Sequence, residues 1–123
     1  MKNRFVLLLL LLSGLVGACQ KPEDVAPPRQ LVPQPKMISL LADIHVLESR
    51  VDGAGLPTDS ARALFRRQQQ QLFTRYEVTD SSFRQSYRYY AVHGKDLDVI
   101  YKTVIDTLRN REIRLGGRPE PRP

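Results

Sequence analysis

The chain has a single cysteine, Cys19, and two histidines, His45 and His93. One cysteine excludes a disulfide-stapled domain and a cysteine-rich zinc module. Two histidines are too few for the three or four ligands a typical zinc site takes. No Gly-x-Ser-x-Gly elbow, His-Glu-x-x-His pair, P-loop or Gly-x-Gly-x-x-Gly loop occurs in the 123 residues, so no nucleophile, metal or nucleotide chemistry is signalled. The length leaves room for one small domain and excludes a multidomain enzyme. No apolar run reaches the ~20 residues of a spanning helix. Charge excess is mild: 19 basic against 13 acidic residues give +6, falling to +4 without Lys2 and Arg4. Arg66, Arg67, Arg109, Arg111 and Arg114 are scattered along helices and lack the dense, aromatic-interleaved patch that nucleic acid asks for. No nucleic-acid partner, cofactor, metal or catalytic residue is expected.

What is present is concentrated at the start. Lys2 and Arg4 precede an unbroken apolar run over residues 5–12, then small residues lead to Cys19. This is the three-part pattern of a secretory signal peptide. Leu15-Val16-Gly17-Ala18-Cys19 resembles the bacterial lipobox, which implies removal of residues 1–18 and acylation of Cys19. Two or three acyl chains, at ~0.8 kcal/mol per buried methylene, anchor a protein stably where one would not. Cys19 is therefore expected to be a membrane anchor. Residues 19–35 carry five prolines and read as an extended linker; at ~3.1 Å per residue such a linker reaches roughly 50 Å. Gln20-Lys21-Pro22-Glu23-Asp24 partly resembles the export tag of surface lipoproteins in the Bacteroidota, and Pro22 interrupts it. The expected address is the cell envelope, lipid-anchored at the outer membrane, on its periplasmic face rather than the cell surface. Residues 116–123 have no apolar group to pack and are expected to be disordered.

Over residues 36–115 the apolar period stays near 3.6, which predicts an all-α fold, a small bundle of about four short helices. The first is expected over about residues 35–51, with Met37, Leu40, Leu41, Ile44, Leu47 and Val51 in one stripe. The second begins at Thr58-Asp59-Ser60, read as caps, with Ala61, Leu64, Phe65, Leu72 and Tyr76 inward and Gln68 near the middle of that face. The third begins at Thr79-Asp80-Ser81-Ser82, with Phe83, Tyr87 and Tyr90 inward. The fourth begins near Asp96 and carries Leu97, Ile100, Tyr101, Val104 and Leu108 until Gly116-Gly117 stop it. The expected core joins Leu41, Ile44, Phe83, Tyr87, Tyr90, Ile100, Tyr101 and Val104.

Asp43, His45 and Glu48 form the densest polar cluster on an apolar helix. At about 100° per residue, His45 and Glu48 lie about 60° apart on neighbouring turns. Glu48 is expected inside the apolar stripe, where an unpaired carboxylate is costly, and Asp43 on the other flank, facing away from His45. A structural pair is the simpler reading; a proton-transfer pair or weak metal site is the sharper one. Tyr89, beside Arg88, is expected to point outward, as a side chain used in a protein contact does.

The arrangement resembles the small lipoproteins of the Bacteroidota that carry domain of unknown function 4296. The residues that carry it are Leu41-Ala42-Asp43-Ile44-His45 with Glu48, Asp59-Ser60-Ala61, Leu72-Phe73 with Tyr76, Val78-Thr79, Phe83, Tyr89-Tyr90 and Ile100-Tyr101. This chain has Glu77 where that family often has a glycine, so a left-handed helix cap there would fall on a residue with a side chain. The resemblance implies an address and a shape and supplies no reaction. Two functional classes follow: a membrane-anchored adaptor or accessory protein-interaction domain without enzymatic activity, and a small ligand-binding or enzymatic domain centred on His45 and Glu48.

Overall fold

The structure, a computed structural model, describes residues 25–117. It is a small all-α bundle of four helices in chain order: α1 (Gln34–Gly53), α2 (Thr58–Arg75), α3 (Asp80–Val92) and α4 (Gly94–Arg114). The stretch that resembles a lipobox, with Cys19, and residues 118–123 lie outside the described residues. α1 is the central element and packs against both α2 and α4, while α3 packs on α4.

α1 earns its place from its stripe: Met37, Leu40, Leu41, Ala42, Ile44, Leu47 and Val51 are all buried, a face wide enough for two partners. Its first turn is preset by Pro35, whose fixed φ suits a position with no intrahelical N–H bond to lose. α2 starts differently from expectation. Thr58 is already helical and makes no side-chain cap; Pro57 occupies the cap position and its carbonyl accepts from the Ala61 N–H at 2.9 Å. The Pro57 backbone is extended at φ −54° and ψ 147°, so Thr58-Asp59-Ser60 fall inside the first turn. Phe73, off the expected stripe, is buried beside Leu72, and its ring lies 5.2 Å from that of Phe83.

α2 ends in a complete Schellman motif. The Val78 N–H reaches the Phe73 carbonyl at 2.9 Å and the Glu77 N–H the Thr74 carbonyl at 3.1 Å, with buried Val78 and Phe73 forming the apolar clasp. Glu77 takes the left-handed conformation, φ 53°. The left-handed cap thus exists without its usual glycine. Thr79 then opens α3 with a capping box: its Oγ1 accepts from the Ser82 N–H while Ser82 Oγ accepts from the Thr79 N–H. α4 begins two residues before expectation, at Gly94, because His93 serves as the hinge residue and its carbonyl accepts from the Asp96 N–H at 2.7 Å. α4 stops where expected, in a second Schellman motif centred on Gly116 at φ 92°. Gly116 and Gly117 are therefore part of a cap and not of a tail.

The core differs from expectation at its edges. Leu41, Ile44, Tyr90, Ile100 and Val104 are buried; Phe83 and Tyr87 are half-buried and pack against them, and Tyr101 is half-buried. Two serines, Ser82 and Ser86, are buried instead. Their role explains a further correction. Val32, in the stretch read as linker, is buried, and its backbone is clamped to α3: its N–H donates to Ser86 Oγ at 2.8 Å and its carbonyl accepts from the Tyr90 hydroxyl at 2.8 Å. Ser86 and Tyr90 stand one turn apart, so together they supply the acceptor and the donor that one extended residue needs. The packed domain consequently includes chain ahead of Lys36.

Candidate functional site

Asp43 makes two side-chain contacts that reach beyond its own helix. It lies on α1 at the border of the apolar stripe, with its side chain 21% exposed. One carboxylate oxygen accepts from the Tyr76 hydroxyl at 2.6 Å and the other from Arg111 Nη1 at 2.6 Å. Tyr76 caps the end of α2 and Arg111 lies in the last turn of α4. A single carboxylate therefore ties three helices together. Burial pushes the Tyr76 hydroxyl up to about 12; the hydrogen bond to Asp43 and its charge act in the same direction, and the guanidiniums of Arg111 and Arg75 pull it back. A tyrosine so held stays a donor, and the arrangement is that of a strut rather than of a proton-transfer site.

His45 and Glu48 meet as helix neighbours: His45 Nδ1 stands 3.0 Å from Glu48 Oε2. Glu48, however, is exposed, at 49% of its side chain, and not inside the apolar stripe. The stripe of α1 narrows toward its C-terminal half, where Leu47 and Val51 are buried and Glu48, Ser49 and Arg50 face solvent. The pair is accordingly a surface contact, of a kind worth ~1 kcal/mol or less. Asp43 does not face His45, as expected, and pairs with Arg111 on α4. Among the described residues there is no group of three or more histidine, cysteine, aspartate or glutamate side chains that could hold a metal.

The tyrosines also divide differently from expectation. Tyr89 is half-buried; its ring lies 5.5 Å from Tyr90 and 4.5 Å from His93, and the Tyr89 carbonyl lies 2.8 Å from His93 Nδ1. It thus closes the α3–α4 corner and does not project. The reason is the hinge at His93: a single non-helical residue brings the imidazole back over the last turn of α3. Arg88, beside it, is exposed. Tyr87 and Tyr101 share a hydrogen bond at 3.0 Å, which, with burial, pushes the Tyr101 hydroxyl up to about 12.

Residues 28–114 match the model of a family described as domain of unknown function, DUF4296. The chain belongs to that family. No curated protein and no solved structure matches it. The DUF4296 match begins ahead of Lys36, in the chain that supplies the clamped Val32, and ends at Arg114, the last residue of α4. Within this DUF4296 domain, two of the segments that carry the resemblance meet in space: Asp43 of the first and Tyr76 of the third. Arg111, the third member, gave no signal of its own, being one of several arginines near the C-terminal end. Among the described residues no helix is long and apolar enough to cross a membrane.

Proposed function

We propose that this protein is a lipid-anchored lipoprotein of the bacterial envelope, held at Cys19 on the periplasmic face of the outer membrane, and that its DUF4296 domain binds a protein partner without performing a reaction. The observation that carries the binding reading is the outer face of α4. Val99 and Ile105 are 55% and 54% exposed, Ile113 is exposed beside them, and Leu115 follows at 89%. At about 100° per residue the three α4 side chains fall within a sector of about 120°, opposite the stripe of Leu97, Ile100, Val104 and Leu108. Asp106 and Arg109 pair on the same side at 3.5 Å. Apolar groups rimmed by charge on an outward helix face are the usual makings of a protein contact. The anchor reading rests on Leu15-Val16-Gly17-Ala18-Cys19, with Cys19 the one cysteine of the chain, and on the proline-bearing stretch that follows.

Two measurements test this. Mass spectrometry of the membrane-bound protein should find the chain starting at an acylated Cys19; an intact leader or an unmodified Cys19 refutes the anchor. A photo-cross-linking residue at Val99 or Ile105 should give one discrete heavier product in intact cells, and the same residue at Gln70, exposed on α2, should give none. Equal labelling from both faces refutes the contact.

A further inference from the structure

A second feature lies on a different face. Between α1 and α2, closed at one end by the last turn of α4, runs a groove of about 310 Å³. Its apolar floor includes Leu47 and Leu72, and Arg50, Arg75 and Arg111 stand along it with the amide of Gln68. The three guanidiniums come from three helices. Arg111 spends one nitrogen on Asp43, the one carboxylate among the described residues that line the groove. Arg50 and Arg75 make no hydrogen bond or ion pair with any described residue. Arg50 and Arg75 each sit in the last turn of a helix, where a cation also offsets the helix dipole. That term acts on each alone. α1 and α2 are joined by a short turn, so their last turns lie toward opposite ends of the pair, and the dipole gives no reason for both side chains to line one groove. Asp43 offsets the charge of Arg111, and placing the two further like charges of Arg50 and Arg75 there is unfavourable unless another anion joins them.

We propose that this groove binds a small organic anion, a carboxylate or phosphate carried on an apolar body. The guanidiniums of Arg50 and Arg75, and the remaining donors of Arg111, take the charged group, for which planar bidentate forks are suited. The apolar body lies on Leu47 and Leu72. The half-buried Gln68 amide, which makes no hydrogen bond to a described residue, is free to contact a polar substituent of the ligand. Leu115 borders both this groove and the outer face of α4, but Val99, Ile105 and Ile113 do not line the groove, so the two readings are tested at different residues.

The test uses the full chain held in phosphatidylcholine nanodiscs, with 2-naphthyl phosphate as a fluorescent probe in equilibrium dialysis and empty discs as the baseline. Saturable binding is expected, competed by an aryl carboxylate and weaker for inorganic phosphate. Arg50→Gln and Arg75→Gln should each weaken it about tenfold, the loss of one charge-assisted contact. Neither side chain makes a hydrogen bond or ion pair with a described residue, so both variants should melt within a few degrees of the parent, the loss of the helix-dipole contact alone. Arg66→Gln, exposed on α2 and outside the groove, should bind as the parent does. Repeating the titration in discs doped with phosphatidylglycerol separates the sources of the anion: probe binding lowered only while Arg50 and Arg75 are present identifies a lipid headgroup, and unchanged binding identifies a free solute. Absence of saturable binding, equal affinity for inorganic phosphate, or equal losses from Arg66→Gln and Arg75→Gln each overturn the proposal.

Discussion

Replacing Asp43 by alanine should be among the most damaging single polar changes in this domain. The carboxylate accepts two hydrogen bonds of 2.6 Å, from Tyr76 and from Arg111, and the three residues belong to α1, the end of α2 and α4. A hydrogen bond to a charged group contributes ~1.5–3 kcal/mol net when buried. Asp43 is mostly buried and Arg111 less so, which places this pair in the lower part of that range and the loss from Asp43→Ala at about 2–4 kcal/mol. Small domains have only ~5–15 kcal/mol in total. At ~4–8 °C per kcal/mol, the melting temperature should fall by roughly 10–30 °C. Thermal unfolding followed by far-ultraviolet circular dichroism reads this directly, and the two arms can be taken apart. Tyr76→Phe removes one bond and leaves the other. Arg111→Gln removes the second and, by freeing a negative charge beside Tyr76, should cost more than an exposed arginine would. In each double variant with Asp43→Ala the second change should add little, because the partner has already lost its acceptor. If Asp43→Ala melts with the parent, or if the single costs simply add, the carboxylate is not the strut described above.

The remaining expectations are shorter. Ile44→Ala opens a cavity in the buried cluster to which Ile44 belongs and should cost ~2–5 kcal/mol, read as a fall in the urea midpoint; a midpoint unchanged from the parent's would refute the packing. His45→Gln and Glu48→Gln should each shift stability by no more than ~0.5 kcal/mol, since both side chains are solvated; a larger loss in the same denaturation assay would restore the buried pair. Tyr76 and Tyr101 are both pushed from 10.0 up to about 12, so the folded state holds their protons more tightly than the unfolded chain does. Their contribution is whole below pH 10 and is lost as pH rises toward 12, and Tyr76→Phe should flatten part of that fall in the alkaline unfolding profile. Glu77→Gly relieves a left-handed residue that costs ~1–2 kcal/mol and returns ~0.5–1 kcal/mol as unfolded-chain entropy, so the variant should gain up to ~1.5 kcal/mol in thermal unfolding.

Helix number and the apolar face of α1 were the most legible part of the sequence, because each rests on information within one helix. A stripe such as Met37, Leu40, Leu41, Ile44 and Leu47 repeats often enough to fix both period and face. Thr79 and Ser82 announce their capping box within four residues. Width of the stripe was less legible. A periodic pattern gives its centre and not its edges, which is why Glu48 was placed inward and Phe73 left out. An edge is set by how closely the neighbouring helix approaches, and that depends on residues elsewhere in the chain. The Asp43 strut shows the same limit more sharply. Its partners lie 33 and 68 residues away, and their meeting depends on the register of α2 and α4 against α1, which three separate turns decide. Nothing local distinguishes Arg111 from Arg109 or Arg114 beforehand.

Val32 shows what a composition argument misses. Residues 20–36 hold five prolines, and prolines in number argue for a solvated, extended chain. An extended backbone nevertheless has one N–H and one carbonyl at each residue that is not proline, and burying it requires partners for both. Pro33, next in the chain, has no N–H and its carbonyl already accepts from the Met37 N–H, whereas Val32 has both groups to satisfy. Ser86 and Tyr90 satisfy its two groups from one face of α3. This also accounts for a serine at a fully buried position in the middle of a helix, where its hydroxyl would otherwise be a liability. The serine and the proline-rich segment are each puzzling alone and explain each other. Ser86→Ala should therefore loosen residues ahead of Pro33 from the bundle before it loosens the bundle, and hydrogen exchange at the Val32 amide would rise while exchange in α1 stayed slow. Exchange rising together in both would mean that the segment is held by its apolar side chain and the serine is incidental.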